Sequence, residues 1–295
     1  MTNKSALLFP AFITDYTRKE IDTLTSNGID FTDYVRVASD KLGIRLPDFS
    51  YDSEEYRNDE LLAQVIAYLF GCAFSDLLKN NAVKPNFGAG YSMGIYANLY
   101  AAESISLEDG ILIIYRAFEL VNELACNGKY GMGAIIGLGV DDINDIINKS
   151  NINAEVINTN SEFSYVISGK KADVVRTLDE AKNEGALNAI PLNVNTPYHS
   201  SYLGGFANRF AKFIEFIDIK KSQYPIISTY NQRIVDSPSE IRKELVYNLT
   251  EKINWYKTMQ VLLNNGVNEF YESGAGKDLS KGARFINGEF KFIRL

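Results

Sequence analysis

The chain has 295 residues, 46% of them hydrophobic, with a formal net charge of −7. That size and apolar content suit a large buried core and count against disorder, and the negative balance counts against nonspecific nucleic-acid binding, which needs clustered Lys and Arg. One histidine, His199, and two cysteines, Cys72 and Cys126, are too few for a His-rich zinc site or a disulfide framework, so no metal is expected. Charge or Gly interrupts the hydrophobic runs before the ~18 residues of a membrane span, even in "LLAQVIAYLFGCAF" (61–74), and the N-terminus lacks a cleavable leader pattern. No membrane association and a cytoplasmic location are therefore expected.

In chain order, the patterns predict a short strand at "ALLF" (6–9), helical stretches with acidic surfaces, and a helix at "DELLAQVIAYLFGCAFSDLLKN" (59–80), where Cys72 reads as a small packed hydrophobe. "KPNFGAG" (84–90) reads as a buried strand running into G-Y-S-M-G, and "IYANLYAA" (95–102) as the helix that follows. From Met132 to Val194 the order is strand "MGAIIGL", helix "DDINDIINKS", strand "AEVINT", strand "SYVISG", helix "ADVVRTLDEAKNEG", strand "NAIPLNV". That β-α-β-β-α-β order is the ferredoxin-like split unit. An amphipathic helix "GGFANRFAKFIEFI" (204–217), a strand "PIIST" (225–229), helices around "PSEIRKELVYNL" and "WYKTMQVLLNNG", and a strand "EFYES" (269–273) complete the chain. Helices alternating with short apolar strands imply a mostly parallel sheet covered on both faces. The expected fold is α/β: an α/β-hydrolase-like large domain, 1–128 plus 196–295, carrying an inserted ferredoxin-like small domain, 129–195.

In a strand-to-helix turn of the form G-x-S-x-G, the glycines let the backbone bend sharply, and the serine oxygen projects above the sheet toward an incoming carbonyl group. Ser92 occupies that position, between strand "NFGAG" and helix "IYANLYAA". Nucleotide-binding readings of the glycines fail: "GAGYSMG" is one residue too long for the dinucleotide fingerprint, and "SGAGKD" has Tyr271 and Asp278 where a phosphate loop needs Gly and Ser/Thr. A serine nucleophile needs a base within hydrogen-bond reach, and His199, in the loop "NVNTPYHSSYL", is the only histidine that could serve. Lys170 and Lys171, and Lys277, Lys281 and Arg284, read as solvated basic faces.

Taken in order, "LLFPAF", "GYSMGIYANLYAAESISLEDG", "GMGAIIGL", "INTNSEFSYVISG", "NTPYHSSYL", "NLTEKINWYKTM" and "GVNEFYESGAGKDL" resemble the malonyl-CoA:acyl-carrier-protein transacylases and the related acyltransferase domains of fatty-acid and polyketide synthases. The resemblance spans almost the whole chain. It implies ping-pong transfer of an acyl group, malonyl being the commonest in the family, from acyl-CoA to the phosphopantetheine thiol of an acyl carrier protein, with no permanently bound cofactor. Ser92 would be the nucleophile, His199 the general base, and the backbone N–H groups of Met93 and Phe12 the oxyanion donors. The family histidine leans on a main-chain carbonyl, and Asn248 stands where the family usually has Gln.

Departures from the family pattern bear on the substrate. Relatives usually read G-Q-G-S-Q after the opening "FP"; "AFITD" here puts Phe12 beside the oxyanion hole and excludes glycine conformations at Ala11 and Ile13. Tyr91 replaces a usual His and Ile95 a usual Glu, so a less polar pocket is expected. Ungapped alignment puts Ala117 at the arginine that clamps the malonyl carboxylate in malonyl-specific relatives, with Arg116 one residue earlier and about 100° away around a helix. A carboxylate without that clamp is costly to bind, which points away from malonyl and toward an alternative, an acyl hydrolase that strips carrier proteins in a trans-acyltransferase polyketide pathway. Tyr198, before His199, resembles instead the narrow pocket associated with malonyl. Asn160 matches a family Asn near the cleft, Met132 is a candidate acyl contact, and Trp255 reads as core.

Overall fold

The computed structural model describes residues 3–12, 16–44, 46, 59–124, 128–149 and 151–293. Two of the positions discussed above, Ile13 and Cys126, lie outside them. The strands are β1 (Lys4–Phe9), β2 (Phe87–Gly90), β3 (Tyr130–Ile136), β4 (Ala154–Ser161), β5 (Ser164–Lys170), β6 (Asn188–Leu192), β7 (Ile226–Ile227), β8 (Ile234–Val235), β9 (Ile253–Asn254), β10 (Val267–Glu272) and β11 (Lys291–Ile293). The α-helices are α1 (Arg18–Ser26), α2 (Phe31–Leu42), α3 (Glu60–Asn80), α4 (Gly94–Ala101), α5 (Leu107–Leu124), α6 (Val140–Lys149), α7 (Lys171–Asn183), α8 (Phe206–Ile214), α9 (Pro238–Tyr247), α10 (Trp255–Asn264) and α11 (Asp278–Gly282).

The larger sheet has the order β11-β10-β1-β2-β7-β8 and is parallel except for the β7–β8 pair. Side chains alternate across its central strand: Leu7 and Phe9 enter the core cluster that contains α3, α4 and α5, while Ala6 and Leu8 enter a second cluster with Trp255, Met259 and Leu262 of α10. A parallel sheet covered on both faces follows from such doubly apolar strands. Helix α3 is apolar on nearly every side because it runs through the core; it is long and apolar enough to cross a membrane, yet 72% of its most apolar window is buried within the protein. Cys72 on this helix is fully buried.

The smaller sheet has the order β6-β3-β5-β4-β9. Its first four strands are antiparallel, with α6 and α7 as the crossovers, and this is the ferredoxin-like arrangement expected from the pattern. Ile143 and Ile147 of α6 and Val174 and Leu178 of α7 pack on Ile135, Val156 and Ile167 to give it a core of its own. The fifth strand, β9, was not expected: Ile253 and Asn254, from the chain after the small unit, pair in parallel with Asn158 and Thr159. The molecule is thus an α/β-hydrolase-like body with a ferredoxin-like subdomain, the two joined through a shared sheet edge.

Candidate active site

The turn after β2 is built around two glycines whose missing side chains leave room for neighbouring backbone atoms. A Cβ on Gly90 would lie 2.2 Å from the Ile95 backbone N, and one on Gly94 would lie 2.2 Å from the Phe9 carbonyl oxygen. These contacts press α4 against the ends of β1 and β2. Ser92 between them has φ 53°, a left-handed conformation that a non-glycine residue adopts only when its surroundings impose it. Its hydroxyl is thereby raised above the C-terminal edge of the parallel sheet, the edge at which open α/β sheets bind ligands.

His199 arrives from the opposite side, on the loop after β6, also left-handed at φ 59°. Its backbone N–H donates to the Leu249 carbonyl at 2.7 Å, which fixes the loop against the end of α9. The Ser92 Oγ to His199 Nε2 distance is 2.7 Å, and Nδ1 lies 3.2 Å from the Glu251 carbonyl oxygen. A carbonyl can only accept, so Nδ1 carries the proton and the Nε2 lone pair faces the serine O–H. Burial lowers the His199 pKa from 6.5 to about 4, while the Glu251 and Asn248 main-chain acceptors pull it upward. The imidazole is therefore neutral at physiological pH, the form a general base requires.

Met93 caps the N-terminus of α4, where backbone N–H groups have no partner within the helix. Phe12 lies on the loop after β1, and Met93, Gly94, Ala11 and Phe12 wall one cavity of about 10 Å³. Two backbone segments thus meet beside the serine turn. Phe12 also contacts Tyr198 edge-on, with ring centroids 6.4 Å apart.

The other expected residues divide into two groups. Tyr91 and Asn160 come together, the Tyr91 hydroxyl donating to Asn160 Oδ1 at 2.9 Å. Asn158 Nδ2 donates to the same hydroxyl, and Trp255 meets the Tyr91 ring edge-on at 5.4 Å. Tyr198 is 4% exposed, close to the site, and donates from its hydroxyl to Glu60 Oε1 at 2.9 Å. Ile95, Ala117 and Met132 are core residues, and the Asn248 side chain is fully buried at the end of α9. Arg116 pairs with Glu119 on its own helix at 3.1 Å. Neither Arg116 nor Ala117 lines the cavity at Met93.

Three side chains near the site escaped the sequence reading. Asn158 joins Asn160 on Tyr91, and Glu60 and Gln64 converge on Tyr198 from the first turns of α3. Two partners of Glu60, Thr196 and Tyr198, lie 136 and 138 residues away, and only the folded chain brings them together. A larger cleft of about 650 Å³, lined by Asp76, Lys79, Tyr100 and Glu103, sits beyond the N-terminal end of β2 and contains none of the expected site residues. Among the described residues, no group of His, Cys, Asp and Glu could hold a metal ion.

A serine on a sharp strand-to-helix turn, hydrogen-bonded to a neutral histidine at the C-terminal edge of a parallel sheet, defines a site for acyl transfer through a serine ester. Residues 56–262 match the family model described as acyl transferase domain, and the chain belongs to that family. It is similar to the malonyl CoA-acyl carrier protein transacylase of Bacillus subtilis (strain 168), 29% identical over 224 residues, covering 75% of this chain and 71% of the relative. The protein of the same description from Staphylococcus aureus (strain MRSA252) is 27% identical over 297 residues, covering 99% of this chain and 96% of the relative. Among solved structures, a malonyl-transacylase in complex with a type II PKS acyl-carrier protein superposes with TM-score 0.89 at 25% identity, covering 98% of this chain and 95% of the other. FabD from Acinetobacter baumannii superposes with TM-score 0.85 at 26% identity, covering 99% and 94%.

Proposed function

We propose that this acyltransferase moves a short acyl group from coenzyme A to the phosphopantetheine thiol of an acyl carrier protein through an ester on Ser92. Malonyl, the group named for the relatives, is the reference substrate. Ser92 Oγ attacks the thioester carbonyl as His199 Nε2 takes the hydroxyl proton; the oxyanion lies between the Met93 and Phe12 backbone N–H groups. Collapse expels the coenzyme A sulfur, which receives the proton from the imidazolium, and leaves acyl-Ser92. The carrier thiol then gives its proton to His199, attacks the ester, and releases Ser92 with the acyl group as a new thioester. The observation that carries this reading is the 2.7 Å contact between Ser92 Oγ and His199 Nε2, with Nδ1 anchored on a carbonyl.

Glu251 supplies that anchor by its main chain, and Asn248 contributes from the same turn. Tyr91, with Asn158 and Asn160, ties the serine turn to the small subdomain, where the acyl thioester would enter. The division into 1–128 plus 196–295 and 129–195 belongs to the same proposal, supported by the separate core of β3–β6 with α6 and α7. So does residence in the cytoplasm, where acyl-CoA and carrier proteins of fatty-acid or polyketide synthesis meet.

One observation favours a second reading. Arg116 is engaged by Glu119 and Ala117 is in the core, so among the described residues no arginine lines the cavity beside the serine turn, the departure that points to an acyl hydrolase acting on carrier proteins. A time course of the acyl-enzyme with and without carrier protein separates the two. Passage of the acyl mass to the carrier supports the transferase, and loss to water at the same rate with or without carrier supports the hydrolase.

A further inference from the structure

His199 is held in a conformation that a histidine does not favour. Its left-handed φ of 59° persists only where the surroundings over-determine it, and a displacement of about 1 Å from Ser92 costs about a hundredfold in rate. The backbone N–H on Leu249 and Nδ1 on Glu251 fix the histidine against the end of α9, but the loop that carries it has to be fixed as well. Two carboxylates grip that loop, one on each flank of His199.

On the upstream flank stands Glu60, in the first turn of α3. Its Oε1 accepts from Thr196 Oγ1 at 2.9 Å and from the Tyr198 hydroxyl at 2.9 Å, and Gln64 Nε2 donates to the same oxygen at 3.3 Å. Burial raises the Glu60 pKa, and the Tyr198, Thr196, Asn195 main-chain and Gln64 contacts pull it back down. Thr196 is 3% exposed and Tyr198 4%, so without Glu60 two buried hydroxyls lose their acceptor immediately before the catalytic base.

On the downstream flank stands Glu155, on β4 of the small subdomain. Its Oε1 accepts from both the backbone N–H and the hydroxyl of Ser201, each at 2.9 Å. Its Oε2 pairs with Lys252 Nζ at 3.3 Å, and Lys252 directly follows Glu251, whose carbonyl anchors Nδ1. Glu155 thereby ties the base loop to the turn on which its histidine leans. This grip is more open than that of Glu60: the Glu155 and Lys252 side chains are 22% and 59% exposed, so water replaces part of what is lost when it is removed.

We infer that Glu60 and Glu155 are positioning residues for His199, one from the large body and one from the small subdomain, each acting through an accepting oxygen that holds the base loop so that Nε2 meets Ser92. The inference rests on His199 activating Ser92 as proposed above. It is tested by the second-order rate of Ser92 labelling by a fluorophosphonate at neutral pH, with the labelled peptide mapped. Each variant is first shown to be folded by its denaturation midpoint.

Glu60→Ala should label about tenfold or more slower than the parent chain, and Glu155→Ala about fivefold slower. Glu60→Gln and Glu155→Gln keep an accepting oxygen in place and should label within about twofold of the parent, a recovery that follows only if that oxygen positions the base. If Glu60→Ala does not fold, Glu155→Ala, at its more open site, carries the comparison. An unchanged rate in either folded alanine variant overturns the inference, as do glutamine variants that label as slowly as the alanine ones. If the parent chain takes no label, or takes it elsewhere than on Ser92, the reading of Ser92 and His199 as nucleophile and base fails instead. That outcome is distinct from any order of rates among the variants.

Discussion

Acidification tests the histidine most sharply. His199 is 3% exposed and burial holds its pKa at about 4, against 6.5 in the unfolded chain. At about pH 5.5 a base with that depressed pKa remains about 97% neutral, whereas an ordinary histidine would be only about 9% neutral, a difference of about tenfold in competent base. The assay is the second-order rate of Ser92 labelling by a fluorophosphonate, which needs no carrier protein or acyl-CoA, measured from about pH 4 to 8 with buffer and ionic strength matched. The rate should be level down to about pH 5 and halve near pH 4. A halving point between about pH 6 and 7 would refute the claim that burial keeps His199 neutral, and with it the tautomer argument.

The same burial has a stability consequence, and a second group opposes it. The depressed pKa of His199 contributes stability that is present above about pH 6.5 and lost as pH falls through about 4, a total of about 3 kcal/mol. Glu244, buried at the end of α9, has its carboxyl pushed up from 4.5 to about 7, so its contribution is present below about pH 4.5 and lost as pH rises through about 7. Between about pH 4.5 and 6.5 these two contributions oppose each other, so denaturant unfolding of Glu244→Gln should show stability falling toward acid more steeply than in the parent chain, by about 1.4 kcal/mol per pH unit. Gly94→Ala puts a methyl group 2.2 Å from the Phe9 carbonyl oxygen, and chemical denaturation should register a loss of about 3 kcal/mol. Arg116→Ala breaks only a partly exposed ion pair with Glu119, so initial rates with malonyl-CoA and acetyl-CoA should change in parallel, and a selective loss of malonyl transfer would make Arg116 a carboxylate clamp after all.

What could be read from the sequence was what local physics dictates. Gly90 and Gly94 flank Ser92 because backbone atoms stand where a Cβ would go, and that requirement is visible as G-x-S-x-G. The six elements from β3 to β6 were legible because their apolar periods are clean and the unit has its own core. Strand β9 has two residues, too few to carry a period, and it exists only because β4 offers an edge. The anchor of His199 is a main-chain carbonyl, which any residue supplies, so Glu251 left no side-chain signature. Glu60 and Gln64 sit in the first turns of an apolar helix, and their role depends on a loop more than 130 residues away. The sequence offered Arg116 as a neighbour of the position expected for a clamp; that Arg116 turns to Glu119 was visible only in the fold.

Acyl transfer by this protein comes down to covalent chemistry at one atom, Ser92 Oγ. Incubation with acyl-CoA, followed by peptide mapping of the intact-mass adduct and addition of a phosphopantetheinylated carrier protein, tests it most directly. The expected result is a single acyl mass on the peptide bearing Ser92, absent in Ser92→Ala, that leaves the enzyme as the same mass appears on the carrier. An adduct on any other residue, or unchanged carrier acylation by Ser92→Ala, would contradict it.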